Sequence, residues 1–304
     1  MSATAPSPPD QAQRRSRPAA LLALMRPRHW AKNAFVLAPL FFSEEFKVAA
    51  SVLDAAGAFA IFCLCSSAVY ALNDYRDRAE DRLHPLKRTR PLATGELRGR
   101  DALAVAAASL GAAAAIGIAL GLPGPFWAVM GGYLAINAAY SLWLRHVELV
   151  DVCVIAAGFV LRVLAGTTAL GIAASQWIVL AAGLLALLLA IGKRRVDLGH
   201  ESAEARRSLS GYSMEFIDVA LAALAASVIG FYALFTLSDY ALARFGSDQL
   251  YLTTFPVVIG ILRYLQLVIA HGRDGSPTDI ALEDRPLQAI VLIWAIAFAL
   301  IAYV

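Results

Sequence analysis

Charge is what this sequence has least of: Asp, Glu, Lys and Arg make up 16% of its 304 residues, against about 25% in an average soluble domain. A soluble chain of this length would need far more polar surface, and here 59% of the residues are hydrophobic. Cysteine is also scarce. Cys63, Cys65 and Cys153 all fall in apolar stretches, and Cys63-Leu64-Cys65 has neither the spacing nor the partners of a metal knuckle. All three are therefore expected as small core residues. The N-terminus lacks the apolar h-region and cleavage site of a secretory signal. Its Ser, Pro, Ala and Gln predict a disordered tail over residues 1–19, followed by one membrane domain over 20–304.

What the chain has instead is long apolar runs, at 105–122, 152–161, 177–192, 219–237 and 289–304, almost free of charge. Runs near ~20 residues match the hydrocarbon thickness a helix must cross. Only helices and closed barrels satisfy their backbone in lipid, and the Ala, Leu and Gly content fits helices. The fold class is thus all-α and polytopic. Nine spans are expected, near 20–42, 50–72, 101–121, 124–144, 150–172, 176–192, 216–238, 251–271 and 286–304, the first containing Pro27 and Pro39.

The basic residues test that count. Alternate segments, beginning with the N-terminus, carry 22 of the 26 Lys and Arg residues, whereas the opposite side has only Lys47 and Arg244, and Arg162 and Arg263 lie within spans. The positive-inside rule then places the N-terminus and the loops at 73–100, 145–149, 193–215 and 272–285 on the cytoplasmic face. Most acidic residues share those loops, which topology does not require.

The densest acidic group is Asn73-Asp74-Tyr75-Arg76-Asp77-Arg78-Ala79-Glu80-Asp81. If the second span continues as a helix, about 100° per residue puts Asn73, Asp77, Asp81 and Asp74 at roughly 0°, 40°, 80° and 100°. Such a cluster repels itself, and a divalent cation would relieve it; Mg²⁺ is commonly held by one or two carboxylates plus phosphate oxygens. A solvated helix end with Arg76, Arg78 and Arg82 as partners is the plainer reading, and Glu80 lies close to the same arc. Lys87, Arg88 and Arg90 follow within a few residues, and acids beside bases suit a metal-bridged diphosphate clamped by Arg and Lys. Taken alone, those bases equally suit topology or anionic lipid.

Asn-Asp-x-x-Asp-x-x-x-Asp followed by Arg-Pro-Leu-x-x-Gly resembles the first signature of the UbiA-type intramembrane prenyltransferases. Further motifs are similar to those of its decaprenyl-phosphate phosphoribosyltransferase subgroup: Arg26-Pro27-Arg28-His29-Trp30-Ala31-Lys32-Asn33, the His84-to-Lys87 segment, Lys193-Arg194, Ile-Leu-Arg-Tyr at 261–264 and Asp-Ile-Ala-Leu-x-Asp-Arg at 279–285. The resemblance runs from about residue 20 to the C-terminus. It implies nine helices around a central cavity open to the cytoplasmic face. It also implies Mg²⁺ on the catalytic carboxylates Asp74, Asp77 and Asp81, with Asn73 assisting. The implied substrates are phosphoribosyl diphosphate and a polyprenyl phosphate, and the product a precursor for cell-wall arabinan. Lys32, Lys87, Arg88, Arg90, Lys193, Arg194 and Asp197 are the expected substrate contacts, in a lipid bilayer and without nucleic acid; a homo-oligomer is compatible with all of this.

Two further charges lie inside spans. Asp151 and Arg162, eleven residues apart, fall about 20° apart on one helix face. Arg162 is expected to contact a phosphate or carboxylate, its alternatives being an interhelical ion pair or snorkelling. Arg263, near mid-span, is expected either at substrate or against an acidic neighbour. The loop at 193–215 departs from ordinary UbiA-type prenyltransferases, whose second Asp-rich motif is here replaced by Lys193-Arg194-Arg195-Val196-Asp197-Leu198-Gly199-His200-Glu201. Within the fold, the rival reading is prenyl transfer from an allylic diphosphate to an aromatic acceptor, against which the Lys/Arg-led loop speaks. A transporter would predict interrupted helices meeting mid-bilayer, and a scaffold leaves the aspartates unexplained.

Overall fold

A computed structural model describes residues 15–84, 87–199, 211–270 and 277–303, and among them every regular element is helical. The chain opens with α1 (Arg17–Met25), a 3₁₀ segment (Pro27–Val36) and α2 (Ala38–Phe42). It continues through α3 (Ala49–Leu83), the single turn α4 (Pro91–Thr94), α5 (Gly99–Ala119) and α6 (Gly124–Leu142). There follow α7 (Val150–Ala169), α8 (Gln176–Gly199), α9 (Met214–Thr236) and α10 (Asp239–Phe245). The last are α11 (Thr254–Leu265), α12 (Pro277–Glu283) and α13 (Arg285–Tyr303).

Seven helical stretches among the described residues are long and apolar enough to cross a membrane: α3, α5, α7, α8, α9, Leu250–Ala270 and α13. The chain is a multi-pass membrane protein. The exposed residues of α13 include Leu292, Ile296 and Leu300, a lipid-facing stripe at four-residue spacing. The other two expected spans differ from the seven in physically legible ways. Proline divides the first: Pro27 bars a helical conformation for the residue before it, and Arg26 caps α1 in the left-handed region at φ 54°. The fourth is helical as α6, 19 residues long, but Asn137, Tyr133, Tyr140 and its glycines dilute its apolar character. Cys63 and Cys65 are buried as expected, whereas Cys153 is exposed on α7 and is no core residue.

The single domain expected over 20–304 divides into two compact units, one drawn from Met1–Pro27 and Cys63–Ala115, the other from Arg28–Phe62 and Ile116–Val304. Both α3 and α5 contribute residues to each. The first unit buries Ala20, Leu24, Ala68, Ala71, Leu92, Leu97, Ala102 and Ala106 together, and its alanines let α1, α3 and α5 approach closely. The expected disordered tail overreached here: α1 begins at Arg17, and Arg15 and Arg17 pair with Glu96 and Asp101 at 3.4 and 2.9 Å. The Arg-Pro-Leu-x-x-Gly motif has a local cause. Pro91 starts the α4 turn, Gly95 ends it at φ 80°, and the Leu97 amide closes back on the Pro91 carbonyl at 3.0 Å.

The α3 helix decides where the first unit presents its charges. Its 35 residues extend about 52 Å at 1.5 Å per residue, well past the ~30 Å of hydrocarbon. The segment 73–83 therefore stays helical beyond the apolar run. In the second unit, Val152, Leu188, Ile191, Ile217, Leu221 and Ile261 belong to the core shared by α7, α8, α9 and α11. The 3₁₀ segment packs on α7 at Gly166, where a β-carbon would stand 2.1 Å from the Val36 carbonyl oxygen. Because that neighbour is backbone, Gly166→Ala is expected to cost about 1–3 kcal/mol as an overpacked contact. A lowered unfolding temperature of the detergent-solubilised protein checks this; an unchanged one refutes it.

Candidate active site

The first unit gathers two carboxylates and two guanidinium groups. Asp74 and Asp81 stand seven residues apart on α3, about 20° apart in projection, and are only 2% and 3% exposed. One nitrogen of Arg90 donates to both, at 3.0 Å to Asp74 Oδ1 and 2.8 Å to Asp81 Oδ2. Arg26 donates to the same Asp74 oxygen at 2.5 Å and lies over the Tyr70 ring at 5.0 Å. Burial disfavours ionised carboxylates, and paired cations at these distances offset part of that cost.

Asp77 lies apart from that pair and receives Arg76 Nε at 3.0 Å. Asn73 is half-buried on the same helix, and Lys87 and Arg88 are exposed on a single 3₁₀ turn. Arg82 is tied to the Ala93 carbonyl at 3.2 Å, bracing α4 against α3. Among the described residues no three His, Cys, Asp or Glu side chains are gathered tightly enough to hold a metal unaided. Two convergent carboxylates with an amide and a third carboxylate on the same helix nevertheless fit Mg²⁺, which takes its remaining ligands from phosphate and water.

The second unit holds a different network. Arg194, near the end of α8, donates to Asp151 Oδ2 at 2.7 Å, to Asp197 Oδ2 at 2.9 Å and to the Tyr140 hydroxyl at 3.4 Å. The other Asp151 oxygen accepts from the Tyr212 hydroxyl at 2.7 Å, and that hydroxyl accepts the Leu149 amide at 2.8 Å. Leu149 sits at φ 61°, an uncommon conformation for a branched side chain. Burial, and then the Asp151 carboxylate it donates to, push the Tyr212 hydroxyl up to about 12, so it remains a donor at physiological pH. Asp197, at 34% side-chain exposure, is the open end of this chain of contacts.

Arg162 departs from its expected role. It donates to Asn33 Oδ1 at 2.7 Å, to the Gly158 carbonyl at 2.8 Å and to the Tyr133 hydroxyl at 3.0 Å; its guanidinium carbon lies 4.9 and 5.4 Å from the Tyr133 and Phe159 ring centres, and it is 6% exposed. Neutral partners hold it where a phosphate or carboxylate was expected. Arg263 takes its other expected role, against an acidic neighbour. It donates to both Asp284 oxygens at 3.2 and 2.7 Å, while Asp284 also caps α13 through the Leu287 amide at 2.9 Å. Arg195 ties α8 to α9 through Asp218 at 2.5 Å. Lys32 is half-buried beside Asn33, and Lys193 sits one residue before Arg194. His200 and Glu201 lie outside the described residues.

Sequence reading missed Arg26 as a carboxylate partner, Tyr212 as an anchor of Asp151, and Asn33 as the acceptor of Arg162. The Arg-Pro pair and its motif flagged the first and third positions; nothing flagged Tyr212. At the opposite ends of α7, α8 and α9 from the Arg194 network lies a cavity of about 440 Å³, lined by Phe42, Trp177, Phe231, Phe235, Glu45 and Arg244 among others. For the network itself, Tyr212→Phe removes a donor to a buried carboxylate. It should destabilise the protein by about 1.5–3 kcal/mol, read as a fall in thermal stability in detergent; an unchanged midpoint would show the bond to be dispensable.

The model of the UbiA prenyltransferase family matches residues 34–277. A decaprenyl-phosphate phosphoribosyltransferase of Corynebacterium glutamicum is 35% identical over 93% of this chain and 87% of its own. One from Mycolicibacterium smegmatis is 34% identical over 90% and 89%. Among solved structures, a UbiA homolog from Archaeoglobus fulgidus bound to GPP and Mg²⁺ superposes with a TM-score of 0.68, covering 94% of this chain and 100% of that one at 22% identity.

Proposed function

This chain belongs to the UbiA prenyltransferase family, and on that footing we propose that it transfers 5-phosphoribose from phosphoribosyl diphosphate to a polyprenyl phosphate. The observation that carries the reading is the pairing of buried Asp74 and Asp81 with Arg26 and Arg90, beside exposed Lys87 and Arg88. One small region thus offers oxygen ligands for a divalent cation and guanidinium donors for phosphate. The relatives over nine-tenths of the chain, with their phosphoribosyltransferase name, support the choice of donor.

Mg²⁺ bound at Asp74 and Asp81, with Asp77 and Asn73 available beside them, would offset the charge of the departing diphosphate. Arg90, Lys87 and Arg88 hold phosphate oxygens. The bond from ribose C1 to diphosphate breaks, a bond from C1 to an oxygen of the lipid phosphate forms, and diphosphate leaves with the electron pair. Positive charge developing at C1 is stabilised by carboxylates already in place. The attacking phosphate is ionised at neutral pH, so no side chain has to remove a proton. Arg162 and Arg263 serve the fold.

The acceptor's polyprenyl tail accounts for a membrane location. The N-terminus and the charged loops face the cytoplasm of the inner membrane, where the sugar donor is dissolved. The lipid product feeds assembly of cell-wall arabinan.

The test supplies purified protein with ribose-labelled phosphoribosyl diphosphate and a polyprenyl phosphate. Labelled lipid and diphosphate are expected in equal amounts with Mg²⁺, and neither after chelation. Failure to label the lipid, together with prenylation of an aromatic acid from an allylic diphosphate, would overturn the reading. Asp77→Ala leaves the buried pairs at Asp74 and Asp81 intact. It is expected to lower kcat/KM by about 100-fold or more with folding unchanged, and a fully active variant removes Asp77 from the site.

A further inference from the structure

The cluster at Asp74 raises a question that its proposed role leaves open: the oxygens expected to take a cation already hold two. Asp74 Oδ1 accepts Arg26 at 2.5 Å and Arg90 at 3.0 Å, and Arg90 reaches Asp81 Oδ2 at 2.8 Å. A divalent ion arriving alone would meet two guanidinium groups at the same oxygens, and the repulsion acts in a region shielded from water. Diphosphate arriving alone would meet the two carboxylates.

The two sides of the cluster differ in how firmly they are held. Asp74 and Asp81 project from the long α3 helix and are nearly fully buried. Arg26 stands at the left-handed break between α1 and the 3₁₀ segment, with its side chain 20% exposed, and Arg90 precedes the one-turn α4, 27% exposed. The carboxylates are fixed and the arginines sit at chain junctions beside solvent. Guanidinium is also the side chain best matched to phosphate oxygens.

We propose that Arg26 is a substrate-binding residue that acts by exchange: it neutralises Asp74 in the empty site and transfers to the diphosphate when the metal–diphosphate complex enters. Arg90 makes the same exchange from Asp74 and Asp81. The proposal rests on the metal–diphosphate reading above and adds Arg26 to it. It makes free Mg²⁺ a poor ligand for the empty protein and makes Mg²⁺ and diphosphate strongly cooperative.

Binding of Mg²⁺ alone, and of inorganic diphosphate at saturating Mg²⁺, is measured by calorimetry on the full chain in detergent. Arg26→Gln is expected to bind Mg²⁺ alone about tenfold more tightly than the wild type, and diphosphate with Mg²⁺ about tenfold more weakly, the scale of one charge-assisted hydrogen bond. Arg26→Lys keeps the charge but not the fork, so it should retain wild-type Mg²⁺ affinity and lose diphosphate affinity. That variant carries the test if Arg26→Gln does not fold. Wild-type diphosphate affinity in the Lys variant, or unchanged Mg²⁺ affinity in the Gln variant, overturns the exchange. If the wild-type protein binds no diphosphate even with Mg²⁺, the metal–diphosphate reading fails as well; normal wild-type binding with unaltered variants removes only Arg26.

Discussion

The first unit is organised by the need to partner two carboxylates where water barely reaches them. Asp74 and Asp81 are held by a helix that outruns its own apolar segment, so their separation along the axis is about 10.5 Å at 1.5 Å per residue. Side chains two turns apart do not touch, yet one Arg90 nitrogen bonds to both. That geometry requires Arg90 to enter from beside α3, and the Pro91 turn ending at Gly95 delivers it there. Asp77, one turn from each, is offset around the helix and takes an adjacent arginine instead. The motif spacing thus separates an inner pair of carboxylates from an outer one.

In the second unit the buried charges follow a different economy of partners. Arg162 is surrounded by neutral acceptors and aromatic faces, which leave its charge delocalised over hydrogen bonds and rings without a carboxylate to bury beside it. Arg263 meets a carboxylate that is already fixed as a helix cap, so one acidic group both ends a loop and balances a cation. Arg194 lies between: Asp151 on its inner side is almost fully buried, and Asp197 on the other is partly open. Only that third arrangement leaves an arginine with one partner that a ligand could replace without stranding a buried charge.

Much of this was legible in the amino-acid order. Apolar runs mark the spanning helices because lipid demands them, whereas the acidic segment at 73–83, expected to open the loop at 73–100, continues α3 as helix. The first expected span was not one helix, because two prolines override an apolar pattern that hydropathy reads as continuous. Arg162 and Arg263 were recognisable as costly charges, but their partners Asn33, Tyr133 and Asp284 lie up to 129 residues away. Without a contact map, such an arginine cannot be assigned to substrate or to structure. Arg26 escaped for the same reason, since its partner is 48 residues distant.

On the proposed metal–diphosphate reading, charge balance also constrains the order in which ligands reach the first cluster. Two arginines against two aspartates make it neutral as built. A lone Mg²⁺ would leave it two charges positive, and a lone diphosphate would leave it strongly negative, each in surroundings that screen poorly. The metal and the diphosphate together come close to cancelling. Each partner displaced then finds a replacement of the right sign, carboxylate to metal and guanidinium to phosphate, so no buried group is stranded at any stage of binding. A site with aspartates alone would favour the free metal; one with arginines alone would favour free phosphate. Interleaving the two selects for the complex.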